Sequence, residues 1–176
     1  ASGVSALTTT QITGLTAAID LLAGLSTTQI PALSTANIAL LTTNQLNGLS
    51  TTQINSLSAT QAKALTGNQL TALTTENLGA LSITAIANLS TSAISTLSSS
   101  QLQNLTTTQL QGLSSLAIRT LTPAQLNALS TTQTSSFTTN QIAALTPAQI
   151  NNLSTANTST LTTAQINALG SAQVAA

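Results

Sequence analysis

Two carboxylates, two cations and a large population of hydroxyls and amides are the polar side chains this chain has for chemistry. Asp20 and Glu76 stand far apart in the sequence. An acid–base pair needs both carboxylates beside one bond, and a regularly repeating chain does not bring them there. Lys63 and Arg119 are the only basic side chains, and His and Cys do not occur. A Ser or Thr nucleophile therefore has no imidazole to take its proton. The usual His and Cys ligand sets for zinc, haem or an iron–sulfur cluster cannot be assembled. The reading is no enzyme, no cofactor and no metal. What remains is hydrogen bonding between a hydroxyl and an amide three positions further on, repeated along the chain.

That pair belongs to an eight-residue word, of which Leu49-Ser50-Thr51-Thr52-Gln53-Ile54-Asn55-Ser56 is one copy. The word starts at Leu7 and ends its series with the start at Leu169; one spacing, Leu15 to Leu25, is ten residues. Position 1 is Leu except at Phe137, and position 2 is Ser or Thr except at Gly170. Position 5 is Gln, with Asn at 37, 77 and 157 among the exceptions, and position 6 is mostly Ile or Leu. Residues 1–6 read as a lead-in and 7–176 as one octapeptide array, with the ten-residue unit at 15–24. A short fixed period means a repeat architecture rather than a domain built around one site.

The element that must carry the pair follows from the spacing. In one continuous helix, eight residues advance about 800°, so each Leu would land about 80° from the last and no face would be buried. In a continuous strand, positions 1 and 6 would face opposite sides. Ser or Thr followed three residues later by Gln is a capping box, and Leu before the cap with Ile at the fourth helical position is a hydrophobic staple. Each word then encodes its own two-turn helix, joined to the next by a single cap residue. Pro123 and Pro147 at position 3 suit the first helical residue. Glu76 near a helix start and Lys63 and Arg119 near helix ends suit the helix dipole. The fold class read here is all-α, a solenoid of short helices, one per octad. The alternative is a β-solenoid, because Thr and Ile favour strands.

Departures from the word mark the candidate special sites. The ten-residue unit holds Ile19, Asp20, Leu21 and Leu22, a candidate capping or assembly unit; an ordinary insertion is the plainer reading. Thr134 puts a hydroxyl where Ile is expected, and Phe137 three residues later offers a ring to fill the space, as cores conserve volume. Thr158 and Ala62 depart similarly. Pro31 at position 7 should remove one helical bond, crowd Thr27 and bend the chain locally. Gly14, Gly24, Gly48 and Gly112 all fall at the last position of their units, which suits a helix end or a close backbone approach.

Composition narrows the partners. Only 2% of residues are charged, against 41% hydrophobic, and the net charge is zero. Two basic residues and one Phe give nucleic acid neither an electrostatic footprint nor a stacking platform. No apolar run approaches the roughly 20 residues of a membrane span. The chain opens on Ala1 without a signal-like segment and reads as a processed or excised piece. A Ser/Thr-rich surface is also a place for O-linked glycan. Each octad buries about two aliphatic side chains, worth roughly 1.5–3 kcal/mol apiece. Ordering its backbone costs about 1–2 kcal/mol per residue, so further burial must come from successive turns or other copies.

Leu161-Thr162-Thr163-Ala164-Gln165-Ile166-Asn167-Ala168 resembles the LTTxQIxx repeat tracts of large bacterial secreted and cell-surface proteins, a resemblance that covers residues 7–176. It implies bacterial origin, export and a structural or adhesive role, and it carries no catalytic or binding residues. The expected function is a subunit of an extracellular filament, sheath or surface layer, with the chain itself as partner. The alternatives are a rigid stalk of a larger adhesin and an ice- or glycan-binding module.

Overall fold

The computed structural model describes residues 22–175 and places one short helix in almost every octad. No strand occurs among the described residues, so the all-α solenoid holds and the β-solenoid alternative is excluded. Helices such as Thr51–Asn55 and Ala59–Ala64 have five or six residues. The helices Thr155–Thr158 and Ser171–Val174 have four. Six residues make about one and two-thirds turns, not the two expected from the octad.

The missing residues go into the corner between helices. Leu65 ends the helix Ala59–Ala64 with φ −63° and ψ 131°. Thr66, the next N-cap, has φ −82° and ψ 161°. The link is therefore two extended residues, Leu and cap, rather than a cap alone. Both are needed: the first sends the Leu side chain back into the core, and the second presents its hydroxyl to the new helix. Where the helix has five residues, position 8 adds an αR residue, as at Ser56 with φ −80° and ψ −5°.

Successive helices do not stack on each other; each stacks on the third one along. Ala59–Ala64 packs against Thr35–Leu40 on one side and Ile83–Asn88 on the other. Ser115–Thr120 packs against Thr91–Ser95 and Thr139–Ala144 in the same way. Three octads thus make one turn of the superhelix. Positions 1 and 6 point inward in the internal turns: Leu57 and Ile54 are buried, as are Leu81 and Leu78, and all join one continuous core.

Pro31 acts as its position predicts. Its octad forms a turn followed by a 3-10 segment, Ile30–Ala32, in place of an α-helix. Pro123 and Pro147 start α-helices at the first residue. Glu76 lies in a first turn, and Lys63 and Arg119 lie in last turns. The glycines need no left-handed backbone, since none has positive φ among the described residues. At Gly112 the reason is close approach, because a Cβ there would lie 3.1 Å from Ile83 Cγ2.

Thr134 and Phe137 are both buried in the core. The Thr134 hydroxyl has no hydrogen-bond partner, whereas Thr158 donates to Ser154 O at 3.0 Å. A buried hydroxyl without a partner is a net cost. Thr134→Val keeps the shape and removes that cost, so urea denaturation should show it more stable by about 1 kcal/mol. Thr158→Val should give no such gain.

Candidate functional site

The group with the most demanding surroundings is the position-5 glutamine. It stands at the third helical residue, N3, where a capping box requires an acceptor for the N-cap N–H. In the octad of Ser58, the Gln61 N–H donates to Ser58 Oγ at 3.3 Å, and Ser58 N–H donates to Gln61 Oε1 at 2.9 Å. The same reciprocal box closes at Thr42/Gln45, Ser98/Gln101, Thr122/Gln125, Thr138/Gln141 and Thr162/Gln165. Gly170 has no hydroxyl and keeps only the half in which its N–H donates to Gln173 Oε1.

The capping box uses only the oxygen of the amide. The Nε2 group does something the octad alone does not announce. Gln61 Nε2 donates to Ile30 O and Leu33 O, each at 2.8 Å. Gln141 Nε2 donates to Leu110 O and Leu113 O, again at 2.8 Å. Gln53, Gln69, Gln101, Gln133 and Gln149 repeat the pattern at the same offsets along the chain. The acceptors are a carbonyl near the helix end and the corner Leu carbonyl of the turn below. These belong to the orphan C=O groups that every helix end leaves. One buried amide thus caps its own helix start and the helix end beneath it.

A signal for this is present in the sequence. A capping box accepts Glu as readily as Gln, and the helix dipole favours the carboxylate. Glu never stands at position 5, and the single Glu, Glu76, stands at position 4. Amide in place of carboxylate wherever the box closes leaves an N–H group available to bond beyond the helix.

Asparagine, one methylene shorter, cannot do both jobs. Asn77 Nδ2 reaches Leu49 O and Asn47 O only at 3.4 and 3.5 Å, and Asn157 Nδ2 reaches Leu126 O at 3.3 Å. Neither returns to its N-cap N–H. The turn below supplies the missing acceptor: Thr74 N–H donates to Asn47 Oδ1 at 3.1 Å, and Ser154 N–H donates to Asn127 Oδ1 at 2.7 Å. Asn47 and Asn127 also donate through Nδ2, to Ala72 O at 2.7 Å and Asn152 O at 2.6 Å. Asn47/Asn77 and Asn127/Asn157 are therefore paired devices, both built at one and the same sequence offset.

Of the sequence-predicted special residues, Ile19, Asp20 and Leu21 lie outside the described residues. Leu22 is buried, and its carbonyl accepts from Gln53 Nε2 at 3.3 Å. Thr134 and Phe137 sit in one octad-to-octad corner, away from any opening, and no cleft opens among the described residues. Among these residues there is also no group of His, Cys, Asp or Glu that could hold a metal ion.

An array of capped octads, clamped turn to turn around a continuous aliphatic core, defines a tandem-repeat α-solenoid. In particular, the ALTTAQ repeat family model matches residues 20–51, 123–155 and 142–176, so the chain is an LTTxQI-type tandem-repeat tract. The same type of hydrogen bonding recurs in the octads between these segments, as at Gln69 and Gln101. No curated protein matches the chain.

Removing the clamp should cost more than removing a cap. Gln141→Ala leaves Leu113 O buried without its donor and Thr138 N–H without its acceptor, and should cost about 3 kcal/mol in urea denaturation, against about 1 kcal/mol for Thr138→Ala. Gln141→Glu keeps the capping oxygen but sets a carboxylate against two carbonyls. Burial beside those carbonyls raises its folded pKa above the unfolded value of about 4.3. That variant should be nearest wild-type stability below about pH 4 and lose stability as pH rises, with the wild type as the reference at each pH.

The Asn pairs give a second test. Asn127→Ala should orphan Ser154 N–H and cost about 1–2 kcal/mol. Asn157→Gln rebuilds the local box, so in that background Asn127→Ala should cost clearly less. A double-mutant cycle in thermal denaturation reads the coupling.

Proposed function

We propose that this chain is a self-assembling structural protein, a subunit of an extracellular bacterial filament, sheath or surface layer. The observation that carries the reading is the sameness of the turn-on-turn interface along the array. The buried Gln clamp recurs in most octads from Gln53 on Leu25 to Gln173 on Leu145, beside a continuous Leu and Ile core. Such an interface has no intrinsic end; its building block is geometrically suited to indefinite extension. The outer surface supports packing against like surfaces, because the chain carries almost no charge and is rich in short hydroxyl and amide side chains. Among the described residues no helix is long and apolar enough to cross a membrane. The resemblance to bacterial secreted and cell-surface repeat tracts supports export and a surface location.

A second reading, a rigid stalk within a larger adhesin, is favoured by the axial direction of the clamps. Each Gln ties one turn to the next along the superhelix, which stiffens the rod against bending and pulling. The two readings separate by behaviour of the isolated chain. A filament subunit should show mass growing with concentration in sedimentation velocity at micromolar levels, with rods of uniform width in negative-stain images. A species that stays at 17.6 kDa at every concentration removes the filament reading and leaves the stalk.

A further inference from the structure

The repeated clamp is interrupted in one place. The turn of residues 73–96 is built from three consecutive octads that carry Asn77, Ala85 and Ala93 at position 5. No other turn among the described residues lacks Gln in all three of its octads. Across the seam between this turn and residues 49–72 beneath it, the inter-turn bonds are few and long. Asn77 Nδ2 reaches Leu49 O and Asn47 O at 3.4 and 3.5 Å. Thr96 Oγ1 lies 3.4 Å from Gly67 O and donates at 2.7 Å to Ala93 O in its own octad. The clamp offset from positions 85 and 93 falls on Leu57 and Leu65, and alanine has no amide to give their carbonyls.

The neighbouring seams are tied by glutamine. Below, Gln53, Gln61 and Gln69 bind residues 49–72 to Leu25 O, Leu33 O and Leu41 O at 2.6, 2.8 and 2.8 Å. Above, Gln101 and Gln109 bind the next turn to Leu73 O and Leu81 O at 3.1 and 2.8 Å. Small side chains accompany the missing amides. Ala62 takes the position-6 place in the helix Ala59–Ala64, which packs on Ile83–Asn88, and both Ala62 and Ala85 are buried. Small residues let the turns touch, but each buries less apolar area than Ile or Leu would. In a repeat array each interface contributes to stability separately. The interface with the weakest bonds and least burial opens before the whole chain unfolds.

We infer that the seam between residues 49–72 and 73–96 is a built-in joint, at which the array parts into two clamped blocks. The corner where the chain passes from one block to the other is the pivot, because it is gripped from both sides. Asn47 donates to Ala72 O at 2.7 Å and accepts from Thr74 N–H at 3.1 Å. Gln101 Nε2 donates to Leu70 O and Leu73 O at 2.8 and 3.1 Å. Parting the seam breaks the long Asn77 and Thr96 bonds and leaves the glutamine clamps of both blocks in place. In a rod loaded along its axis this seam gives first, and it recloses on the same register. The joint goes beyond the proposed function and belongs to the single chain, whether that chain is a filament subunit or a stalk.

The chain contains no cysteine, so the seam can be locked by a new disulfide. A Cβ at Gly67 would stand 3.7 Å from Thr96 Cβ, within the roughly 3.5–4.5 Å that a disulfide spans. Hydrogen exchange, read by mass spectrometry in urea below the unfolding transition, is compared for full-length wild type and Gly67→Cys/Thr96→Cys, the variant both reduced and oxidised. The joint requires the amides of residues 49–96 to exchange at least about tenfold faster than those of residues 121–144 in the wild type. Residues 121–144 serve as reference because Gln125, Gln133 and Gln141 all clamp them to the turn below. Oxidation should shrink that ratio for residues 65–72 and 89–96, the octads it joins, relative to the reduced form. A ratio near one in the wild type, or a ratio that oxidation leaves unmoved, overturns the joint. If the disulfide does not form or the variant does not fold, the wild-type ratio decides alone.

Discussion

A helix of five or six residues is almost all ends. An α-helix leaves four N–H groups at its start and four C=O groups at its finish without internal partners. At this length those groups are most of the backbone, and burying them unpaired would cost about 1–3 kcal/mol each. Every recurrent feature answers that constraint. The Ser or Thr hydroxyl takes the N3 N–H, as at Ser50 with Gln53. Gln53 Oε1 takes the Ser50 N–H at 2.8 Å, and Gln53 Nε2 donates to Leu25 O at 2.6 Å in the turn below. The aliphatic core, two side chains per octad, then lies beside a column of polar groups that pair with one another, Gln45 Nε2 being the position-5 amide left without a partner. A buried polar network is tolerable only on that condition.

The local half of this design is legible in the octad. Cap, staple, N1 proline and the placement of Glu76, Lys63 and Arg119 all act within one helix, and each reads directly from spacing. What is not legible is whatever acts across a full turn of the superhelix. The three-octad turn is a property of the corner angles, and no residue type announces it. The second function of Gln, and the pairing of Asn47 with Asn77, become visible only once that offset is known. The octad overstates its helix length for a related reason. It reads as helix plus cap, while the corner Leu must leave the helix for its side chain to reach the axis. The one sequence signal that points beyond the single helix is the recurrence of Gln at position 5, whose amide has an N–H group that the capping box does not use.

The octads that lack the clamp show what replaces it. Ala85, Ala93 and Ala117 stand at position 5 and are buried. At the Ala93 octad the turn below comes close through a small residue: Gly67 meets Thr96, and a Cβ at Gly67 would lie 3.1 Å from Thr96 Cγ2. Two solutions to turn spacing thus coexist: a bridging amide that holds the turns by hydrogen bonds, and a small residue that lets them touch. Interiors are packed too densely for a Gln to be deleted without some such adjustment.

The reach of the clamp sets the size of the cooperative unit. Gln61 touches Leu33 and Ile30, so it binds its own octad to two others, the third and fourth before it. One octad satisfies none of these bonds, and three octads, a single turn, still satisfy none. A first nucleus must therefore close more than a whole turn of chain before any Nε2 is paired, an entropic cost that precedes the reward. Each octad added afterwards meets a face already in register and pairs its amide at once. Extension of the folded array is then one repeated step, in which a capped helix is received by the open carbonyls of the turn before.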